Sequence, residues 1–322
     1  MEPRANPTTV RGRYAPSPTG TLHLGNLRTA LLAWLYARAA GGAFVLRLED
    51  LDLPRMRPGA AARMLEDLRW LGLDWDEGPD IGGPLGPYVQ SQRAALYDAT
   101  LGRLWANGLL YPCYCTRAEL ARLASAPQGP GDEGPPYPGT CRRLSPRERA
   151  AREAAGRRPA LRFRAPRTPI TFVDGVAGPV TERVVNAVGD FVVRRSDGVI
   201  AYQLAVVVDD ALMGITQVVR GADLLGSTAR QLALYDALGY PRPTEYAHVP
   251  LALDAGGERL AKREAAAGLD ALRARSLSAS KVTGALAASC GLWPPAVPAT
   301  PRALLATFDP AHLRAEPSHI AV

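Results

Sequence analysis

The residues best suited to chemistry in this 322-residue chain lie in one run, Pro16-Ser-Pro-Thr-Gly-Thr-Leu-His-Leu-Gly-Asn26. His23 can donate to a phosphate oxygen as negative charge builds there, and Gly25 lets a nucleotide approach the backbone closely. The elements around the run set it at a helix N-terminus. Thr8–Tyr14 reads as a short strand. Leu27, Ala30, Leu31, Trp34 and Leu35 follow at i, i+3, i+4, i+7 and i+8, the stripe of a helix packed on a sheet. Gly41-Gly42 ends that helix, and Ala43–Glu49 returns as an apolar strand. In such a β-loop-α-β unit the loop is expected to offer unpaired N–H groups and a positive dipole end to an anion. The pattern points to nucleotide chemistry.

The chain is long enough for one large α/β domain with an insertion, or for two modest domains. Its net charge of +7 and isoelectric point near 9.5 suit a polyanionic partner. Even the most apolar stretch, Leu24–Ala40, is broken by Asn26, Arg28 and Arg38, so no membrane span is expected. The N-terminus has no signal-peptide core, which gives a cytoplasmic expectation. In that compartment the four cysteines point to metal or free thiols rather than disulfides. Lys262 and Lys281 are the only lysines among 38 cationic side chains, which makes Lys262 a candidate for a place where arginine will not serve.

The eleven-residue run resembles the HIGH signature of class I aminoacyl-tRNA synthetases, in the glutamate/glutamine branch, where it reads PSPTGxLHxGN. A second segment, Gly257-Glu-Arg-Leu-Ala-Lys-Arg263, is similar to the KMSKS loop of the same family. Arg259 stands for the first lysine and Ala261 for the serine, while Lys262 keeps the second lysine. The resemblance implies that Lys262 holds the ATP phosphates as pyrophosphate leaves, a task that suits a compact ammonium on a flexible stem. It makes His23 and Lys262 the catalytic residues, with Gly25 and Asn26 completing the ATP site, and Mg2+ arriving with ATP. It also assigns glutamate contacts to Arg13, Tyr14, Ala15, Pro16 and Ser17, to Glu49 for the substrate ammonium, and to Tyr202 and Arg220. Arginine suits that substrate because it can grip a carboxylate in two-pronged fashion.

Cys113, Cys115 and Cys141 flank a loop rich in Pro, Gly, Ser and acidic residues, and a hairpin-like excursion could bring them together. Three thiolates need a fourth ligand for tetrahedral zinc, and no histidine lies within the excursion. Three reduced thiols without metal are the alternative. The arrangement resembles the zinc site of the glutamyl-queuosine tRNA(Asp) synthetases, truncated paralogues within the family. That resemblance implies one structural zinc held by Cys113, Cys115, Tyr137 and Cys141.

The expected fold is α/β: a class I synthetase, Rossmann-type parallel sheet with a zinc-bearing insertion and a short helical C-terminal segment. Residues 1–105 form the first half of the catalytic domain, with Ala60–Leu71 as a second helix. Residues 106–185 form the insertion, with strands at Leu161–Ala165 and Ile170–Val173. Residues 186–265 return to the main sheet through Phe191–Arg195, Ile215–Arg220, the helix Thr228–Leu238 and Val249–Leu253. Ile200–Val208 fits either a strand or a buried helix. Residues 266–322 read as a helical tail, too short for an anticodon-reading domain. The tail length and the run Ala201–Asp210 favour the truncated paralogues. The resemblance then implies activation of L-glutamate by ATP and its transfer to the queuosine base of tRNA(Asp), by a monomer. A truncated enzyme charging the tRNA 3′ end, and a non-catalytic paralogue that binds tRNA or ATP, are the other readings.

Overall fold

A computed structural model describes residues 9–116, 118–120, 136–253, 257, 260 and 269–321. Eleven strands are named in chain order: β1 (Arg11–Tyr14), β2 (Ala43–Leu46), β3 (Leu110–Cys113), β4 (Ala160–Phe163), β5 (Ile170–Asp174), β6 (Gly178–Glu182), β7 (Phe191–Arg194), β8 (Gln217–Gly221), β9 (Glu245–Val249), β10 (Ala252–Leu253) and β11 (Ser318–His319). Six form the central sheet in the order β2-β1-β8-β9-β5-β6. All its pairings are parallel except the β5–β6 hairpin at one edge. Buried on both faces, the parallel strands read as apolar runs such as Phe44-Val-Leu46 and Val218-Val219.

The first crossover confirms the β-loop-α-β unit. β1 and β2 run in register from Arg11↔Ala43 to Tyr14↔Leu46, joined by helix α1 (Leu24–Ala39). Gly12 lets the helix lie close to β1, since a Cβ there would come within 2.8 Å of the Ala37 Cβ. The stripe Leu27, Ala30, Leu31, Trp34 and Leu35 is buried as expected, but Leu32, Ala33 and Ala37 are buried too. The reason is the tail: helices Ala279–Ser289 and Pro301–Leu305 pack on the far side of α1 and remove its solvent face.

From β1 the chain leaves toward β2, whereas from β8 it leaves toward β9 on the other side. The strand order therefore reverses between β1 and β8, and open α/β sheets bind ligands at the carboxyl ends of such a pair.

Three expected elements differ. Phe191–Arg195, expected in the main sheet, forms β7, which pairs antiparallel with β4 in a separate three-stranded sheet, β3-β4-β7. The apolar faces of Phe163 and Phe191 meet there, with ring centroids 5.3 Å apart. Conversely Ile170–Val173, expected in the insertion, lies in β5 and joins the main sheet beside β9. Insertion and main sheet thus interleave along the chain between 160 and 194. Finally, Val249–Leu253 is not one strand. Pro250 has no N–H to donate, so β9 stops at Val249, and Ala252–Leu253 pairs instead with Ser318–His319 from the tail. Ile200–Val208 resolves as helix, within Tyr202–Leu212.

Candidate active site and metal centre

A cavity of about 350 Å3 opens at the carboxyl ends of β1 and β8. Arg13, Tyr14, Ala15, Pro16, Ser17, His23, Gly25, Asn26, Glu49, Tyr202 and Arg220 all line it. Sequence positions 207 apart are thereby brought into one space: Arg13 and Arg220 are each one residue before the end of their strands, β1 and β8. Of the expected substrate and nucleotide residues, Lys262 alone is not among them. It lies outside the described residues, with Arg259 and Ala261. Leu260, two positions earlier, does line the cavity and donates its N–H to the Ala252 carbonyl at 2.8 Å.

The loop before α1 differs from expectation. His23 is the N-cap of α1, and its Nδ1 accepts the N–H groups of Gly25 (3.1 Å) and Asn26 (3.3 Å). Two of the N–H groups expected to await an anion are thus taken by the histidine itself. The same bonds fix the tautomer. An accepting Nδ1 leaves the proton of the neutral ring on Nε2, which is the form able to donate to a phosphate oxygen. Gly25 has a packing reason as well, because a Cβ there would meet the His23 ring at 3.0 Å and the Ala252 Cβ at 3.3 Å.

Below the cavity floor lies a buried ionic network with no counterpart in the sequence expectations. Asp210 accepts Arg47 Nη1 at 2.8 Å and faces Arg13 Nε at 3.3 Å. Asp209 accepts Arg93 Nε (2.6 Å), Gln90 Nε2 (2.7 Å) and the Tyr97 hydroxyl (3.0 Å). Burial opposes the charge of Asp210, but Arg13 and Arg47 outweigh it and hold its carboxyl below the usual range. Glu49 behaves differently. Burial pushes it up to about 7 against the pull of Arg47, whose Nη2 lies 3.2 Å away. A carboxylate short of compensation is suited to receive an ammonium. The adjacent acids Asp209-Asp210 after the apolar run Leu204–Val208 were the available signal, since two acids buried on one helix demand cations from elsewhere.

Arg220 is held by another set. Its Nε donates to His248 Nε2 (3.0 Å), Nη2 to Thr228 Oγ1 (2.8 Å), and Nη1 to Gln231 Oε1 (2.8 Å) and the Tyr202 hydroxyl (3.5 Å). His248 Nδ1 lies 2.6 Å from Asp174 Oδ2.

Away from the cavity, Cys113, Cys115 and Cys141 place their Sγ atoms within 4.8 Å of one another. The Tyr137 hydroxyl stands 3.4 Å from Cys113 Sγ and 3.8 Å from Cys115 Sγ, and it accepts the Cys141 N–H at 2.9 Å. Zn–S bonds of about 2.3 Å in a tetrahedron set sulfurs about 3.8 Å apart, close to the 3.6 Å between Cys115 and Cys141. Soft thiolates beside a phenol oxygen fit zinc, and the four residues named from the sequence are the ones assembled. Arg162 lies over the Tyr137 ring with its guanidinium carbon 3.7 Å from the centroid, and donates to Cys113 Sγ at 3.3 Å. The apolar cluster here is small: Tyr111, Cys113, Tyr114, Tyr137 and Cys141 are its buried members. A metal would add the cross-link such a cluster needs.

Comparison with known proteins shows the family. Residues 9–276 match the family model "tRNA synthetases class I (E and Q), catalytic domain". The chain is 58% identical over 309 residues to a glutamyl-Q tRNA(Asp) synthetase of Symbiobacterium thermophilum, covering 96% of this chain and 95% of that protein. It is 56% identical over 308 residues to one of Nitratidesulfovibrio vulgaris, covering 96% and 94%. Among solved structures it superposes on a glutamate-tRNA synthetase of Elizabethkingia anophelis with TM-score 0.82 at 29% identity, over 98% of this chain and 68% of that one. The chain therefore belongs to the class I tRNA synthetases of the glutamate and glutamine branch.

Proposed function

We propose that this chain is a ligase that activates glutamate with ATP as glutamyl-adenylate and passes the glutamyl group to the queuosine base of tRNA(Asp). The observation that carries the first step is the single cavity lined by Arg13, Glu49, Tyr202, Arg220 and the N-cap histidine of α1. In this reading Arg220, Tyr202 and Arg13 bind the carboxylate groups of glutamate, and Glu49 takes the ammonium. The α-carboxylate oxygen attacks the α-phosphorus in line, and the bond to the β-phosphate oxygen breaks to release pyrophosphate. The nucleophile is already ionised, so positioning and charge stabilisation matter more than a general base. His23 donates from Nε2 to a phosphate oxygen, the first turn of α1 adds its dipole, and Lys262 holds the leaving phosphates. Mg2+ enters with ATP.

The queuosine acceptor is favoured by the two glutamyl-Q relatives, each matched over at least 94% of its own length. A net charge of +7 suits tRNA as the partner. One zinc at Cys113, Cys115, Tyr137 and Cys141 cross-links the insertion when bound. The test is transfer of labelled glutamate, with ATP and Mg2+, to tRNA with and without queuosine. Label on queuosine-containing tRNA(Asp) alone supports the reading. Label on the 3′ end of glutamate tRNA transfers the function to the charging enzyme. Absence of both adenylate and transfer leaves a binding module.

A further inference from the structure

The buried arginines in and below the cavity wall stand in two electrostatic states. Arg13 and Arg47 share the carboxylates of Asp209, Asp210 and Glu49. Arg220 is only 5% exposed, yet among the described residues no carboxylate lies within ion-pairing distance of it. Its four partners, His248, Thr228, Gln231 and Tyr202, are neutral hydrogen-bonding groups. Arg220 is attracted to Asp210 at longer range, but a buried guanidinium with no carboxylate in contact is costly unless something supplies one.

The carboxylate that could have supplied it is one residue away. Asp174 Oδ2 reaches Nδ1 of His248 at 2.6 Å, and Nε2 of the same ring receives Arg220 Nε at 3.0 Å. An arginine Nε only donates, so Nε2 accepts and the ring proton sits on Nδ1, pointing at Asp174. Thr228 agrees with this tautomer: its oxygen accepts from Arg220 Nη2, and its hydroxyl proton is free to go to Nε2, 3.1 Å away. Burial lowers the proton affinity of His248 further than Asp174 raises it, so the ring is neutral. The other oxygen of Asp174 accepts the N–H groups of Val176 (3.0 Å), Ala177 (2.9 Å) and His248 (3.2 Å). The negative charge is thus anchored in backbone and kept one imidazole away from Arg220.

We propose that Asp174 and His248 are positioning residues that orient Arg220 while leaving its guanidinium without a contacting carboxylate, so that the pocket takes a carboxylate side chain and rejects its amide. The inference rests on the glutamate reading of the cavity. A carboxylate in contact with Arg220 would complete the ion pair inside the protein, and an anionic substrate would then gain little over a neutral isostere. The neutral imidazole supplies an acceptor of fixed direction without supplying charge.

The test compares ATP–pyrophosphate exchange with glutamate and with glutamine in the wild-type chain, His248→Gln, His248→Glu and Asp174→Asn. Glutamine at 248 can still accept from Arg220 and donate to Asp174, so its glutamate KM stays within about fivefold of wild type. Glutamate at 248 places an anion against Arg220. It raises glutamate KM by about 100-fold, lowers the preference for glutamate over glutamine at least about tenfold, and leaves ATP KM within about threefold. Wild-type preference in His248→Glu, or equal damage from both His248 variants, overturns the proposal. If thermal melting shows that both fail to fold, Asp174→Asn decides. Its amide turns the ring proton toward Arg220, so glutamate KM rises about tenfold with kcat held within about threefold, and an unchanged KM overturns the proposal. A wild-type chain giving no exchange with glutamate overturns the glutamate reading and this inference with it. Failure of the variants alone overturns only this inference.

Discussion

Arg28 on α1 donates from Nη1 to the hydroxyl of Ser318 at 2.9 Å, joining the helix of the first signature to a tail residue 290 positions later. The same guanidinium donates to the Pro250 carbonyl at 2.5 Å and the Ser289 hydroxyl at 3.2 Å, and it is 1% exposed. Ser318 in turn donates its N–H to Leu251, and both Pro250 and Leu251 wall the cavity. The tail is therefore part of the scaffold of this cavity.

Arg28→Ala removes three hydrogen bonds and leaves a buried void. Stability is expected to fall by about 2–4 kcal/mol, and Ser318→Ala by about 0.5–1.5 kcal/mol. Urea unfolding of both variants checks this, and an unaltered midpoint for Arg28→Ala would show that the tail is not fastened there.

Arg13→Ala and Arg220→Ala should each raise the glutamate KM by about 10- to 100-fold while ATP KM changes far less, as expected for charge-assisted bonds to the amino acid. Arg13→Ala still leaves Asp210 paired with Arg47, so the fold should tolerate it. Steady-state exchange kinetics give both constants, and unchanged glutamate KM in the two variants removes the assignment.

The carboxyl of Glu49, raised to about 7 by burial against Arg47, gives glutamate use a pH dependence. Below pH 7 the free site holds a protonated Glu49 that cannot attract an ammonium. Glutamate KM should therefore rise about tenfold between pH 8 and pH 6. For folding the sign is opposite. A folded-state pKa above the unfolded value gives stability that is complete below the unfolded pKa of about 4.3 and lost as pH rises through 7. Glu49→Gln should flatten the KM profile. A wild-type profile that is already flat over this range would contradict the role.

Protein purified without chelator should carry about one zinc per chain by elemental analysis, as a closed four-ligand site binds one ion. Cys141→Ala should lose it and expose the insertion to protease, whereas Tyr137→Phe keeps three thiolates and should bind zinc more weakly. Far less than one zinc in the wild-type chain refutes the site.

The first signature run and the strand-helix-strand pattern around Pro16–Asn26 were legible in the sequence because they are local: the motif carries its own turn, cap and apolar period. The cysteine set was legible for a similar reason, its members being separated by one excursion of the chain. What the sequence could not fix were relations between distant segments. β7 pairs with β4, and β5 with the main sheet, because apolar faces find complementary partners in space whatever their order along the chain. His23 takes two N–H groups of its own helix, a choice set by the dihedral angles of one residue. The electrostatic division between Arg13, in contact with Asp210, and Arg220, with a neutral His248 and no contacting carboxylate, also follows from tertiary placement. Burial makes each such pairing decisive, since in a low dielectric the nearest charge settles a side chain's state, and only the folded chain determines which charge is nearest.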